Sequence, residues 1–351
     1  MRAAIDPLRL VGSVRARYQH NESLFVLEGA GAATPLPDEP EGKWVAPTAF
    51  ESVDIPARAF YNASVYPGFL YGDADPRDLV PLAPVDAWRS QLAAEDAGDA
   101  NTTELRVWLA RRGVTTQTHH DASHGFIAAA RGVKRVALWP PTAHNDLRVF
   151  PATHGARRQS QLRRPPSFPP PEVVHELAPG DVLYVPPLWF HRIEALSAVA
   201  VSVSAVSPSR EDRALQRALD AVRAPLASCV DGNRAVAAQV VLAHVLSRLG
   251  TAPRAVGRAL RDVRPRGPSS TPPGDLCLAG DEAAHEAARA CLDGDAVKEA
   301  AKRVAKELDG LAQSVRDISA LDLVEHVGAW GAAPETVPAF AAACLELDAM
   351  Y

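Results

Sequence analysis

The chain has 351 residues, 47% of them hydrophobic and 23% charged, with a formal net charge of −5. That length can bury a substantial core in one large domain with an appendage or in two domains. No apolar run approaches the roughly 18–20 residues that cross a bilayer, so no membrane partner is expected, and the acidic balance argues against wholesale binding of a polyanion.

The first hundred residues alternate Pro- and Gly-rich turns with short apolar groups such as LFVLEGAG (24–31) and FYNASVYPGFLYG (60–72). Such texture predicts short strands and loops. The opening residues lack the charged start, apolar block and small-residue cleavage site of a secretory signal. Four cysteines, Cys229, Cys277, Cys291 and Cys344, fall in the last third with no close pair. No disulfide framework is therefore expected, and a reducing compartment, cytoplasmic or nuclear, is.

From LRVWLARRG (105–113) onward, β-rich runs recur at 105–109, 126–130, 133–139, 182–186 and 199–206. Gly132 interrupts the 126–139 run and predicts a hairpin. APGD (178–181) places Pro179 and Gly180 where a type II turn prefers them. Several short strands separated by such turns predict a sandwich or barrel. Beyond 206–212 the pattern becomes helical. Val297, Ala301, Val304, Leu308, Leu311, Val315 and Ile318 recur in steps of four and three, which predicts one apolar stripe on a helix. Such a stripe packs on the chain's own core or forms a seam between two copies, a homodimer through the C-terminal helices. RPRGPSSTPPGD (264–275) reads as a loop within this part. The domain organisation expected is a β-rich domain over 1–208 and an α-helical region over 209–351.

The residues that carry chemistry cluster at 117–141, QTHHDASHGFIAAARGVKRVALWPP. In an extended strand His119 and Asp121 project to one face and His120 to the other. A metal site needs a third ligand. His191, after the Pro-Pro turn of DVLYVPPLWFHRIEAL (181–196), lies where strand pairing in a barrel brings it opposite the pair. Two histidines and a carboxylate on one face form the triad of non-heme Fe(II) oxygenases, which leaves coordination positions open. By spacing alone, histidines near a strand end more often have structural roles than ligate a metal.

Three ordered segments, TTQTHHDASHGFIAAARGVKRVALWPP, VFPATHGARRQSQL and LAPGDVLYVPPLWFHRIEAL, together resemble the JmjC and cupin-like Fe(II)/2-oxoglutarate-dependent hydroxylases, nearest to the asparaginyl hydroxylase branch that inhibits hypoxia-inducible factor. The resemblance is dense over 105–207 and loose over the preceding hundred residues. It implies a mainly β fold, a double-stranded β-helix (jelly-roll or cupin) core with flanking helices and the helical C-terminal region. It places His119, Asp121 and His191 on the Fe(II) ligand positions. Lys134 falls where the family keeps the cation that receives the distal carboxylate of 2-oxoglutarate, and Thr116 where a hydroxyl assists it. Gly125 and Ser204 stand where the family commonly has asparagine, Ser204 at the edge of the cosubstrate pocket. Arg158 and Gln159 match a segment beside the active-site mouth and are candidates for substrate contact. A phenol from Tyr61 or Tyr66 could reach the cosubstrate. The activity implied is oxidative decarboxylation of 2-oxoglutarate to succinate and CO2 with O2, coupled to hydroxylation of a protein side chain. The alternatives are a transfer-RNA base as target, with arginines such as Arg157, Arg158, Arg163 and Arg164 as its footprint, and a catalytically silent cupin module that only binds or scaffolds.

Overall fold

The computed structural model describes residues 13–19, 24–25, 51–56, 60, 68–74, 103–162, 168–229, 234–263, 282–332 and 337–345. The chain divides into two compact units, one of residues 1–27, 46–140 and 169–209, the other of 28–45, 141–168 and 210–351.

The first unit carries the strands: β1 (Ser13–Gln19), β2 (Leu24–Phe25), β3 (Glu51–Pro56), β4 (Phe69–Ala74), β5 (Glu104–Arg111), β6 (Thr115–Thr116), β7 (His119–His120), β8 (His124–Arg131), β9 (Lys134–Trp139), β10 (Val173–Leu177), β11 (Val182–Val185), β12 (Phe190–Ala195) and β13 (Val199–Ser207). They form two sheets. The larger runs β11-β8-β13-β5-β4-β1-β3 and the smaller β10-β9-β12-β6-β2, with β7 also paired to β12. The short β2–β6 contact is parallel; the long pairings are antiparallel.

Period-two alternation sorts the larger sheet's side chains onto two faces. One face buries Val14, Ala16, Tyr18, Leu70, Val107, Leu109, Val201 and Val203 against Ile55 and Phe60. The other face meets the smaller sheet, where Ile127, Ala129 and Val185 pack with Val136, Leu138 and Leu177. Two such antiparallel sheets face to face make the expected jelly-roll, with a polar row inside it that the next subsection describes.

Gly132 does not close a hairpin. β8 pairs with β11 and β13, whereas β9 pairs with β10 and β12, so residues 132–133 carry the chain from one sheet to the other. The interruption was visible in sequence, but a break between two apolar runs does not say whether the second run folds back or crosses over. Gly132 has φ +66°, and a Cβ there would collide with the carbonyl oxygen of Val199, so this corner admits glycine alone. The APGD turn forms as expected. The Asp181 N–H donates to the Ala178 carbonyl at 3.0 Å, with Gly180 at φ +101°.

The second unit is helical: α1 (Arg210–Leu226), α2 (Arg234–Arg248), α3 (Pro253–Val263), α4 (Glu282–Cys291), α5 (Gly294–Leu308), α6 (Gln313–Gly331) and α7 (Val337–Phe340). The stripe from Val297 to Ile318 lies on two helices, with Leu311 in the turn between them, and not on one. Asp293 caps the start of α5 by accepting from the N–H groups of Asp295 and Ala296. The chain leaves the helix at Gly310, φ +70°, and the Arg210 guanidinium donates to the orphaned Asp309 carbonyl at 2.7 Å, as a cation at a helix C-terminus should. All seven stripe residues are at most 7% exposed. The stripe is thus part of the unit's own core, which accounts for it without a second copy.

The expectation of unpaired cysteines is overturned. Cys229 and Cys291, 62 residues apart, come to a Cα–Cα distance of 5.2 Å and form a disulfide, and Cys344 is disulfide-bonded as well. Separation along the chain was a poor guide because packing brings the ends of α1 and α4 together. No single described helix is long and apolar enough to span a membrane.

Candidate metal centre

Three side chains from two short stretches converge in the jelly-roll. β7 and β12 pair antiparallel with His119 directly opposite His191, and the rings stand 4.1 Å apart between centroids. Asp121 follows β7 immediately, and its carboxylate Oδ2 lies 3.8 Å from His191 Nε2. One ligand atom from each of the three residues can be chosen so that all lie within 4.8 Å of one another. No other such group of histidines, cysteines and acids occurs among the described residues.

Local backbone geometry aims these atoms. His119 Nδ1 is 2.7 Å from the carbonyl of Gln117, and His191 Nδ1 is 3.2 Å from that of Trp189. A carbonyl only accepts, so each Nδ1 holds the proton and each Nε2 keeps its lone pair for the centre. The His191 side chain is 7% exposed while that of Asp121 is 49% exposed, so the cluster is closed behind the imidazole and open at the carboxylate. Burial, reinforced by His119, pulls His191 down to about 4, which keeps its ring neutral and able to ligate at physiological pH.

A turn locks the third ligand to the other two. In Pro186–Trp189 the Trp189 N–H donates to the Pro186 carbonyl at 3.2 Å, and the Leu188 N–H donates to the Asp121 carbonyl at 2.7 Å. Leu188 adopts φ +63°, a left-handed conformation that costs a branched residue about 1–2 kcal/mol. Strain at this point is the cost of fastening the backbone of one ligand to the turn that delivers another.

Along the same inner face lies Lys134, 4% exposed. It starts β9, opposite Ala195 of β12, four residues from His191. Its ammonium donates to Ser202 Oγ at 2.6 Å and to the Trp108 carbonyl at 3.4 Å. Among the described residues no carboxylate pairs with it, and burial pushes it down to about 7. Thr116, 9% exposed, shares this wall. Its Oγ1 accepts from the Ile193 N–H at 3.2 Å.

Ser204 and Trp108 occupy the facing sheet, the indole N–H donating to Ser204 Oγ at 2.7 Å. The Ser204 hydroxyl is therefore engaged with the wall. Arg158 and Gln159 lie in the second unit, where Arg158 has φ +67° and its guanidinium is 3.7 Å from the Asp212 carboxylate, while the Gln159 carbonyl accepts from the Phe150 N–H. His120 packs edge-on against Phe190, on the face away from the centre as expected. His124 is bonded to the Tyr184 hydroxyl at 2.8 Å and belongs to a different face.

Two wall residues escaped the sequence reading. Ser202 holds Lys134, and the alternation in VSVSAVS (201–207), which puts Ser202 and Ser204 on one face, was the signal for it. Tyr71 stacks on Trp108 with centroids 5.4 Å apart. Burial raises its phenol well above the usual tyrosine range, with Arg17 opposing and Asp73 and Asp121 adding to the rise, and the stack puts it on the wall beside Trp108. Tyr61, Tyr66, Arg163 and Arg164 lie outside the described residues.

Residues 74–205 match the family described as the Cupin-like domain. Among curated proteins, the lysine-specific demethylase JMJ31 of Arabidopsis thaliana is 27% identical over 103 residues, 26% of this chain and 19% of that protein. The tRNA wybutosine-synthesizing protein 4 of Aspergillus oryzae is 31% identical over 96 residues, 26% of this chain and 9% of that protein. The matched stretches thus span 19% or less of those two relatives. Among solved structures, that of YcfD, a ribosomal oxygenase from Escherichia coli, in complex with cobalt and 2-oxoglutarate is 15% identical, with a TM-score of 0.32, covering 61% of this chain and 45% of that one.

Proposed function

We propose that the protein is an Fe(II)- and 2-oxoglutarate-dependent oxygenase that hydroxylates a protein side chain. The observation that carries this reading is the presence in one barrel of an open three-ligand set and a buried ammonium that faces no carboxylate among the described residues. Two imidazoles and one carboxylate suit a divalent ion that keeps other coordination positions for further ligands. Bound iron and 2-oxoglutarate supply the oxidising chemistry, one atom of O2 entering succinate and the other the product, with release of CO2.

The chain's own residues supply binding and position. His119 Nε2, His191 Nε2 and Asp121 hold the metal. Lys134 accounts for the length of the cosubstrate. From His191 to the residue opposite Lys134 is four positions, about 13 Å of strand, which the lysine stem and a short dicarboxylate divide between them. Inside the barrel a carboxylate is tolerable only against a charge-assisted donor, and Lys134 is that donor. Thr116 accepts from the Ile193 N–H at 3.2 Å and donates to the Ile193 carbonyl only at a long 3.5 Å, a bond its hydroxyl would exchange for one to the same carboxylate. A silent module has no use for a buried ammonium that only lowers stability. A transfer-RNA base is the second target class, favoured by the match to the wybutosine-synthesizing protein.

Binding of 2-oxoglutarate in the presence of Mn(II), followed by succinate formation with Fe(II), tests the reading. Both should occur in the wild type and vanish in Asp121→Ala. A chain that binds Mn(II) but not 2-oxoglutarate would refute it. A panel of peptides and transfer RNA, read by product mass, separates the target classes.

A further inference from the structure

Lys134 is unusual in having its principal partner across the barrel on the other sheet. Lys134 belongs to the smaller sheet, and Ser202, 2% exposed, belongs to β13 of the larger one. The bond between Nζ and Oγ is 2.6 Å. The larger sheet is irregular at this point. β13 pairs with β8 so that Val201 stands opposite Arg131 but Ser202 stands opposite Ala129, which leaves Ala130 as an extra residue on β8. A bulge of this kind bends the strand and re-aims the neighbouring side chain. On its other side β13 stays in register with β5, Ser202 opposite Trp108, and the Trp108 carbonyl is the second, longer acceptor for the same ammonium.

We propose that Ser202, aimed by this bulge, is a positioning residue that holds the Lys134 ammonium in place and in its charged form to receive the distal carboxylate of the cosubstrate. This rests on the oxygenase reading above. The hydroxyl suits the task because it accepts from the ammonium without carrying a charge that would compete with the ligand. A carboxylate at 202 would neutralise Lys134 and repel the dicarboxylate, whereas an apolar residue would leave a buried ammonium with one distant carbonyl.

The neighbouring charges do not substitute for Ser202. On the smaller sheet Arg135 pairs with Glu176 of β10 and Glu194 of β12, and these alternate with Lys134 onto the outer face. On the larger sheet Asp73 of β4 pairs with Arg17 of β1 and Arg106 of β5, Tyr71 stacks on Trp108, and Arg131 of β8 stands opposite the outward-facing Val201. Burial is what lowers Lys134.

The experiment measures 2-oxoglutarate affinity with Mn(II) by calorimetry, on the full chain from pH 6 to pH 9, for wild type, Ser202→Ala, Ser202→Cys and Ser202→Thr, with thermal unfolding as a check on folding. Wild-type affinity should fall as pH rises and the ammonium of the free protein is lost. Ser202→Ala and Ser202→Cys should bind about 10- to 100-fold more weakly, with the fall moved to lower pH. Ser202→Thr should restore both affinity and pH profile. In turnover the loss should appear in the KM for 2-oxoglutarate rather than in kcat. A Ser202→Ala protein with wild-type affinity and an unmoved pH profile overturns the inference while leaving the oxygenase reading intact. Absence of 2-oxoglutarate binding by the wild type at every pH overturns both.

Discussion

Lys134→Met removes the charge while keeping length and most of the volume, and it should move stability and binding in opposite directions. In the folded protein without ligand, burial takes the lysine from 10.5 to about 7. The unfolded chain therefore holds this proton more tightly, and stability rises with pH between those two values. At 1.36 kcal/mol per pH unit, burying this lysine costs the fold about 5 kcal/mol at pH 6, where it is charged, and about 2 kcal/mol at pH 9, where it must first give up its proton. Methionine escapes that cost and forfeits only the bonds to Ser202 and Trp108, so the variant should be more stable than wild type, with an advantage that shrinks by about 3 kcal/mol from pH 6 to pH 9. Its affinity for 2-oxoglutarate should drop about 100-fold or more, because a buried carboxylate is left without its donor. Urea unfolding at the two pH values, read as a change in midpoint at constant slope, gives the first quantity, and calorimetry with Mn(II) gives the second. A variant that is destabilised equally at both pH values, or that binds 2-oxoglutarate as wild type does, would show that Lys134 is an ordinary core lysine.

Asp121→Ala should abolish the gain in stability that metal confers, about 2.7 kcal/mol in the wild type at a metal concentration one hundred times its Kd, as read by thermal unfolding with and without Mn(II). Gly125→Asn should fold within about 1 kcal/mol of wild type, because a Cβ there meets Val185 at an ordinary 3.5 Å. Gly132→Ala, which meets a positive φ and the Val199 carbonyl, should cost at least about 2 kcal/mol; equal urea midpoints for these two glycine variants would contradict the crossover geometry. Removing the Cys229–Cys291 bridge, which closes a loop of 62 residues, should destabilise the helical unit by about 4 kcal/mol on loop entropy alone, measurable as a fall in Tm of a Cys229→Ser, Cys291→Ser variant that leaves the Cys344 disulfide in place.

What was legible in the sequence was whatever periodicity or an ordered motif carries. The runs at 105–109, 126–130, 133–139, 182–186 and 199–206 are all strands, because alternation of branched apolar residues between turn residues leaves little choice. His119 and Asp121 share a side by strand geometry, and His191 arrives opposite them through the β7–β12 pairing. Less legible was anything that depends on which strand becomes a neighbour. Gly132 marks a break whether the chain folds back or crosses between sheets, Cys229 and Cys291 give no local sign of their proximity, and the stripe from Val297 to Ile318 keeps its period across an interruption at Gly310. Ser204 drew attention because it stands where the family commonly has asparagine; Ser202 lies on the same face, and only the opposite sheet decides which of the two meets the lysine.

Each imidazole of the cluster is steered by a carbonyl two residues earlier in its own chain, Gln117 for His119 and Trp189 for His191. The orienting acceptor is main chain, so substitution at positions 117 and 189 alters whatever those side chains touch without removing it. Among the described residues no additional acid is recruited to hold the rings, and Asp121 alone brings a negative charge to the trio. A divalent guest would therefore stay net positive and retain its pull on an incoming anionic chelator. The grip is built into the fold's own hydrogen bonding, which leaves the surrounding wall free to vary with the ligand the site must accept.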